Sequence, residues 1–197
     1  MVDGNGSVNL FVVEDNKLVR LAVTKIIDKI GDFKLVGFAD DGELAVQEIL
    51  TKRPQIALVD IGLPSLDGIE VTRRIKAAMP GLKVIMLTAS DSDRHVVEAL
   101  DAGADGYVLK EVFGDRLEMA IRSVRIGAVW LDPAIAKRLL VLAREAPNKV
   151  KEQAGTMALS AEDVSLLGAV AESQCTDGLC LVDPKFLKKL HDSFAED

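Results

Sequence analysis

The stretch Ile56-Ala57-Leu58-Val59-Asp60-Ile61-Gly62-Leu63-Pro64-Ser65-Leu66-Asp67-Gly68 decides how the chain folds. A short apolar run ends in one carboxylate, and a turn rich in Pro, Asp and Gly follows at once. A run of this length bounded by turn residues reads as a buried strand. A carboxylate at its carboxyl end then sits on the rim of a parallel sheet, where open α/β sheets place their ligands. Taken alone, Asp60 is equally well a turn cap, a common use of Asp. Its partners in the rest of the chain separate the two readings.

Working outward, Val8 to Val13 is a second apolar, β-branched run, and it ends at Glu14-Asp15. Asn16 is placed to cap a helix over Lys17 to Ile30, whose apolar residues recur at helical spacing, with Gly31 closing it. Phe33 to Ala39 reads as a strand, and Asp40-Asp41-Gly42 opens a second helix that Pro54 ends. After the Asp60 strand come a helix from about Gly68 to Ala78 and a stop at Met79-Pro80-Gly81. The strand Leu82 to Leu87 follows, with Thr88 at its end. A fourth helix covers about Asp91 to Asp101, and a short fifth strand, Tyr107 to Lys110, ends in a lysine. A fifth helix runs from about Gly114 to Arg125 and stops at Gly127.

Strands alternating with helices in this way specify an α/β fold, a doubly wound five-stranded parallel sheet with helices on both faces. Right-handed crossovers leave few topologies, and strand order 2-1-3-4-5 is the natural one. It makes the first and third strands neighbours, so Glu14, Asp15 and Asp60 converge in one crevice. Thr88 and Lys110 end their strands on the same rim. Crowded carboxylates ionise comfortably only beside a cation, and an all-oxygen site suits Mg²⁺. The lysine offers a point charge to a phosphoryl oxygen, and the threonine hydroxyl a hydrogen bond to another. Together these groups describe a carboxylate that can be phosphorylated.

On these residues the chain from about Val8 to Ile126 resembles the receiver domain of two-component response regulators. The matching motifs are Glu14-Asp15, Asp60-x-x-x-Pro64-x-x-Asp67-Gly68, Thr88-Ala89, and Tyr107 to Lys110. The resemblance implies that Asp60 is the phosphoacceptor, supplied by a histidine kinase or phosphotransfer protein. It implies that Glu14, Asp15, Asp60 and the backbone carbonyl of Gly62 hold Mg²⁺. Thr88 and Lys110 would bind the phosphoryl group. Tyr107 would turn inward as Thr88 moves, which repositions the surface between the fourth helix and fifth strand. Such a protein is a phosphoacceptor that assists its own phosphorylation and dephosphorylation, not an enzyme acting on other substrates. Two positions depart from the commonest pattern. Glu111 stands where a proline often follows the lysine, and Gly62 is smaller than the usual occupant two places past the phosphoacceptor.

The composition fits this reading. The chain has 197 residues, of which 49% are hydrophobic and 28% charged, which suits one domain of ordinary size and a small extra unit. No apolar run approaches the ~18 residues of a membrane span, and Met1 to Asn9 lacks signal-peptide character. A cytoplasmic protein with no membrane partner is therefore expected. Cys175 and Cys180 form a lone C-x4-C pair without further ligands to complete a zinc site, so reduced thiols are expected.

Beyond the receiver (1–127), a linker helix spans 128–145, starting in Ala128 to Pro133 with Asp132 as cap and Pro133 in its first turn. Its apolar stripe of Ile135, Ala136, Leu139, Leu140, Leu142 and Ala143 suits packing on the receiver, the plainer reading, or pairing with a second copy of the chain as a self-dimer. A polar linker covers 146–158, and a small all-helical module covers 159–197. Gly127 to Leu140 is similar to the linker helix of the NarL/FixJ subgroup, which ends in a LuxR-type helix-turn-helix. Leu159 to Ala171 resembles the first helix of that module, but the next helix is reduced to a Gly-broken segment from Gln174 to Cys180. Lys185, Lys188 and Lys189 are candidate DNA contacts on the last helix. From Lys151 onward, however, the chain has four lysines, no arginine and nine acidic residues, out of a net charge of −7. A field of that sign opposes the phosphate backbone. The expectation is a degenerate output module acting through protein contacts, with a divergent DNA-binding regulator as the alternative.

Overall fold

The computed structural model describes residues 7–89, 93–137 and 139. Its elements in chain order are β1 (Val8–Val13), α1 (Lys17–Lys29), β2 (Phe33–Ala39), α2 (Gly42–Lys52), β3 (Ile56–Asp60) and α3 (Gly68–Ala78). They continue with β4 (Lys83–Thr88), α4 (Asp93–Asp101), β5 (Gly106–Leu109), α5 (Asp115–Arg125) and β6 (Trp130–Leu131). All strands are parallel, in the order β2-β1-β3-β4-β5-β6.

Side chains alternate across the pleat, so successive residues of each central strand enter opposite layers. Phe11, Val13, Ala57, Val59, Val84 and Met86 join the layer under α2, α3 and α4. Leu10, Val12, Ile56, Leu58, Ile85 and Leu87 join the layer under α1 and α5. Every residue of β3 is buried, as a central strand covered on both faces must be. Each such aliphatic side chain contributes about 1.5–3 kcal/mol when fully buried. This burial fixes the register, and the register brings the strand ends to one rim.

Local signals set the helix starts. Asn16 accepts from the Leu18 N–H at 2.9 Å and caps α1, Asp41 accepts from the Glu43 N–H at 2.9 Å and caps α2, and Asp67 accepts from the Glu70 N–H at 2.9 Å and caps α3. Each satisfies a donor that helix geometry leaves without a partner. α1 ends at Ile30, and Gly31 follows without adopting a left-handed conformation.

The sheet has six strands, not five. The sequence predicts a linker helix from Ala128, but Trp130 and Leu131 instead pair with Gly106 and Tyr107. Val129 and Leu131 enter one layer and Trp130 the other, the period of two that makes a strand. The helix begins at 133, with Asp132 as its cap: its carboxylate accepts from the Ala134 N–H at 3.1 Å. Ile135, Ala136 and Leu139 are buried in the layer that holds α4, so the first part of the apolar stripe packs on the sheet. Lys110 also stands one step beyond its expected place, opening a 3-10 turn (Lys110–Val112) rather than closing β5. Residues 140–197, including Lys185, Lys188 and Lys189, the 146–158 linker and the C-terminal module, lie outside the described residues. Among the described residues no helix is long and apolar enough to cross a membrane.

Candidate functional site

The rim where β1, β3, β4 and β5 end gathers the residues singled out above. Carboxylate oxygens of Glu14, Asp15 and Asp60 lie within 4.8 Å of one another, the one such acidic cluster among the described residues. Glu14 and Asp60 are buried, at 0% and 5% exposure, while Asp15 faces solvent. Lys110 reaches across the rim to both: its Nζ stands 2.8 Å from Asp60 Oδ2 and 2.7 Å from Glu14 Oε2. Burial pushes the Glu14 carboxyl above its ordinary value, and the nearby Asp60 charge adds to this, while Lys110 and the Asn16 N–H only partly oppose it. For Lys110 the balance runs the other way. Burial disfavours the ammonium, but ion pairing with Asp60 and Glu14 outweighs it and raises the pKa.

These residues fit a hard divalent cation. The donors are all carboxylate oxygens. Glu14 Oε2 is buried and makes no hydrogen bond of good angle, despite the ammonium 2.7 Å away.

Thr88, 2% exposed, ends β4 in register with Leu109, beside the strand that Asp60 ends. Tyr107 is fully buried in the layer that also holds α4. A Cβ built on Gly62 would meet a single neighbour, Asp60 Oδ2 at 3.9 Å, so the approach to the carboxylate is open on that side.

Several supporting residues gave no sequence signal. The Arg20 guanidinium donates to the backbone carbonyls of Glu14 and Asp15 and lies over the Phe38 ring, 5.3 Å from its centroid. It thereby pins the loop carrying two of the three carboxylates. On the other side, the loop after Asp60 is tied to the start of α2. Ser65 adopts a left-handed conformation (φ 64°) and hydrogen-bonds Asp41, which holds the Asp41 carboxyl below its ordinary value. Gly42 lies against Leu66, where a Cβ would come within 2.1 Å of the backbone carbonyl oxygen. An alternation of apolar residues could not have indicated these contacts, because they are polar or main-chain contacts set by how the loops close on the folded elements.

Residues 10–122 match the response regulator receiver domain. The chain belongs to the two-component response regulators. This regulator is 32% identical over 165 residues to the DNA-binding transcriptional activator DevR/DosR of Mycobacterium tuberculosis, covering 84% of this chain and 75% of that one. It is 30% identical over 146 residues to the transcriptional regulatory protein DegU of Brevibacillus brevis, covering 74% of this chain. The match spans only 62% of DegU's length. Among solved structures, a LuxR-family two-component response regulator from Aurantimonas superposes with a TM-score of 0.64 at 27% identity, over 66% of this chain and 94% of that one.

Proposed function

We propose that this response regulator is switched by phosphorylation of Asp60, drawn from a histidine kinase or phosphotransfer protein and dependent on Mg²⁺. The observation that carries the reading is Lys110 held 2.8 Å from Asp60 Oδ2 inside a cluster of three carboxylates. An Asp60 carboxylate oxygen attacks the phosphorus of a phosphohistidine. The P–N bond breaks, the new P–O bond forms, and the imidazole leaves and takes up a proton. The Lys110 ammonium then pairs with a phosphoryl oxygen instead of the bare carboxylate, and the Thr88 hydroxyl donates to another. Glu14, Asp15, Asp60 and the Gly62 carbonyl would hold Mg²⁺, which supplies neutralisation of the charge gathered on the transferring group. Acetyl phosphate with Mg²⁺ should label the protein, and Asp60→Asn should abolish labelling. Label persisting in that variant would mean the phosphoacceptor lies elsewhere.

For the output, protein contacts made by the module at 159–197, after the linker helix and the 146–158 linker, fit the charge of the tail. Four lysines against nine acidic residues, with no arginine, oppose phosphate contacts. A second reading, DNA binding through Lys185, Lys188 and Lys189, draws on the match to DevR/DosR, a DNA-binding activator. Electrophoretic mobility shifts with the phosphorylated full chain at low and moderate salt separate them. Sequence-specific binding that weakens steeply with salt establishes the second reading and rejects the first.

A further inference from the structure

Arg20 lies one turn into α1, where its N–H donates to the Asn16 carbonyl at 3.0 Å. Helical side chains point back toward the N-terminus, which carries this one over the loop between β1 and α1. There a single terminal nitrogen, Nη1, donates to the carbonyls of both Glu14 and Asp15. The guanidinium rests on the Phe38 ring, 5.3 Å from its centroid. Phe38 is the register partner of Val12, whose side chain enters the layer under α1, so the ring stands on the α1 side of the sheet. An exposed aromatic on a border strand thus has a use as the seat of a cation.

The two carboxylates of this loop are held differently. Glu14 is buried, its N–H donates to the Ala39 carbonyl at 3.0 Å, and its Oε1 accepts from the Asn16 N–H at 3.2 Å. Asp15 is exposed, so packing does not set the direction of its carboxylate. Its place in the cluster depends on its main chain. Arg20, 2.9 Å from the Asp15 carbonyl, ties that main chain to α1 and, through the ring, to β2.

We propose that Arg20, seated on Phe38, is a positioning residue for the metal: it fixes the main chain of Glu14 and Asp15 so that both carboxylates meet the cation together with Asp60, and thereby sets the Mg²⁺ affinity. The inference rests on the reading of the cluster as a Mg²⁺ site. Two effects of Arg20 oppose each other. Its positive charge repels a cation bound nearby, whereas its hydrogen bonds hold the ligands in place for one. Water around the exposed Asp15 screens the repulsion. Mg²⁺ demands near-ideal octahedral geometry, so a displaced carboxylate costs more than relief of the repulsion returns. Removing Arg20 therefore weakens binding, the opposite of what charge alone dictates.

Calorimetric titration of the full chain with Mg²⁺, well below the melting temperature of each variant, tests this. Arg20→Met should raise the dissociation constant roughly tenfold, the low end of what losing a group that orients a ligand costs. Acetyl phosphate labelling of the same variant should need roughly tenfold more Mg²⁺ for half its maximal rate, with most of the loss recovered at saturation. Arg20→Lys keeps the charge and the donors and should restore part of the affinity. Phe38→Leu, at a side chain exposed to solvent, leaves Arg20 intact and should weaken binding in the same direction by less. It decides the matter if Arg20→Met does not fold, and native affinity there then overturns the proposal. A lowered melting temperature with a native dissociation constant in Arg20→Met makes Arg20 structural only and overturns it too. So does tighter binding, the result if repulsion is the larger effect. A native chain that takes up no Mg²⁺ overturns this inference and the reading of the site together.

Discussion

The Cα of Gly68 lies so close to the backbone of Asp60 that a Cβ would stand 1.8 Å from the Asp60 carbonyl oxygen. Both sides of the contact are main chain, so no rotamer change can relieve it. Either the first turn of α3 or the end of β3 must shift. Gly68→Ala should therefore cost about 3 kcal/mol of stability, the upper end of what overpacking usually costs. It should also impair acetyl phosphate labelling by displacing Asp60. Thermal denaturation and labelling check both, and a variant with native melting temperature and native labelling contradicts the constraint.

Lys110 is the counter-charge for Glu14 and Asp60, which are 0% and 5% exposed. Removing one partner of a buried pair leaves the other uncompensated, at a cost of about 3–5 kcal/mol. Lys110→Met should lower stability by a large part of that in metal-free buffer. Millimolar Mg²⁺ should recover some of the loss by taking over the neutralisation. Urea denaturation with and without Mg²⁺ reads the effect, and equal losses in both buffers would argue against a cation at the cluster.

The elevated pKa of Glu14 fixes the sign of a pH effect. The folded state holds its proton more tightly than the unfolded state, whose value is 4.5. The protonated form favours folding in full below that value, and the advantage is lost as pH rises from 4.5 toward the higher folded pKa. Asp32, Asp41 and Glu70, held below their ordinary values, tilt the curve the other way. Comparison with Glu14→Gln isolates the group. In metal-free buffer the melting temperature of the native chain relative to Glu14→Gln should fall as pH is raised through this window. A flat or rising difference would contradict the assignment.

Gly62 leaves one flank of the Asp60 carboxylate uncovered, with the nearest neighbour to an added Cβ being Asp60 Oδ2 at 3.9 Å. Water should reach an acyl phosphate there easily. Gly62→Met is expected to lengthen the half-life of the phosphorylated protein several-fold, because the site has room for the side chain and loses solvent access. An unaltered half-life in a time course of dephosphorylation would reject this.

The fold was legible in the sequence where an apolar run stands between turn residues. Ile56 to Asp60 and Phe33 to Ala39 have the bounds read from their composition, because apolar runs between turn residues have few other uses. The caps Asn16, Asp41 and Asp67 were legible in part, as side chains that accept from backbone donors one turn ahead. β6 was not legible. Two residues are too few to display a period, and Asp132-Pro133 is so strong a helix start that it drew the preceding residues into the helix. The candidate site residues were legible as strand ends, but Arg20 and Ser65 were not. Their roles exist only once β1–α1 and β3–α3 are folded against one another. Gly68 read as an ordinary turn residue, since nothing in Asp67-Gly68 shows how near β3 returns.

β6 has a further effect at the border of the sheet. The carbonyls of Asp105 and Tyr107 accept from the Trp130 and Asp132 N–H groups, each at 3.1 Å. The groups along β5 that would recruit a foreign strand are thus occupied by the chain itself, and the new border is two residues long. Among the described residues the other border is β2, seven residues long. Lys34 is exposed there, and Phe38, 59% exposed, carries the Arg20 guanidinium over its ring. Charge along a strand border discourages pairing with another copy. The fold thus resists strand-to-strand aggregation at one end by brevity and at the other by cations.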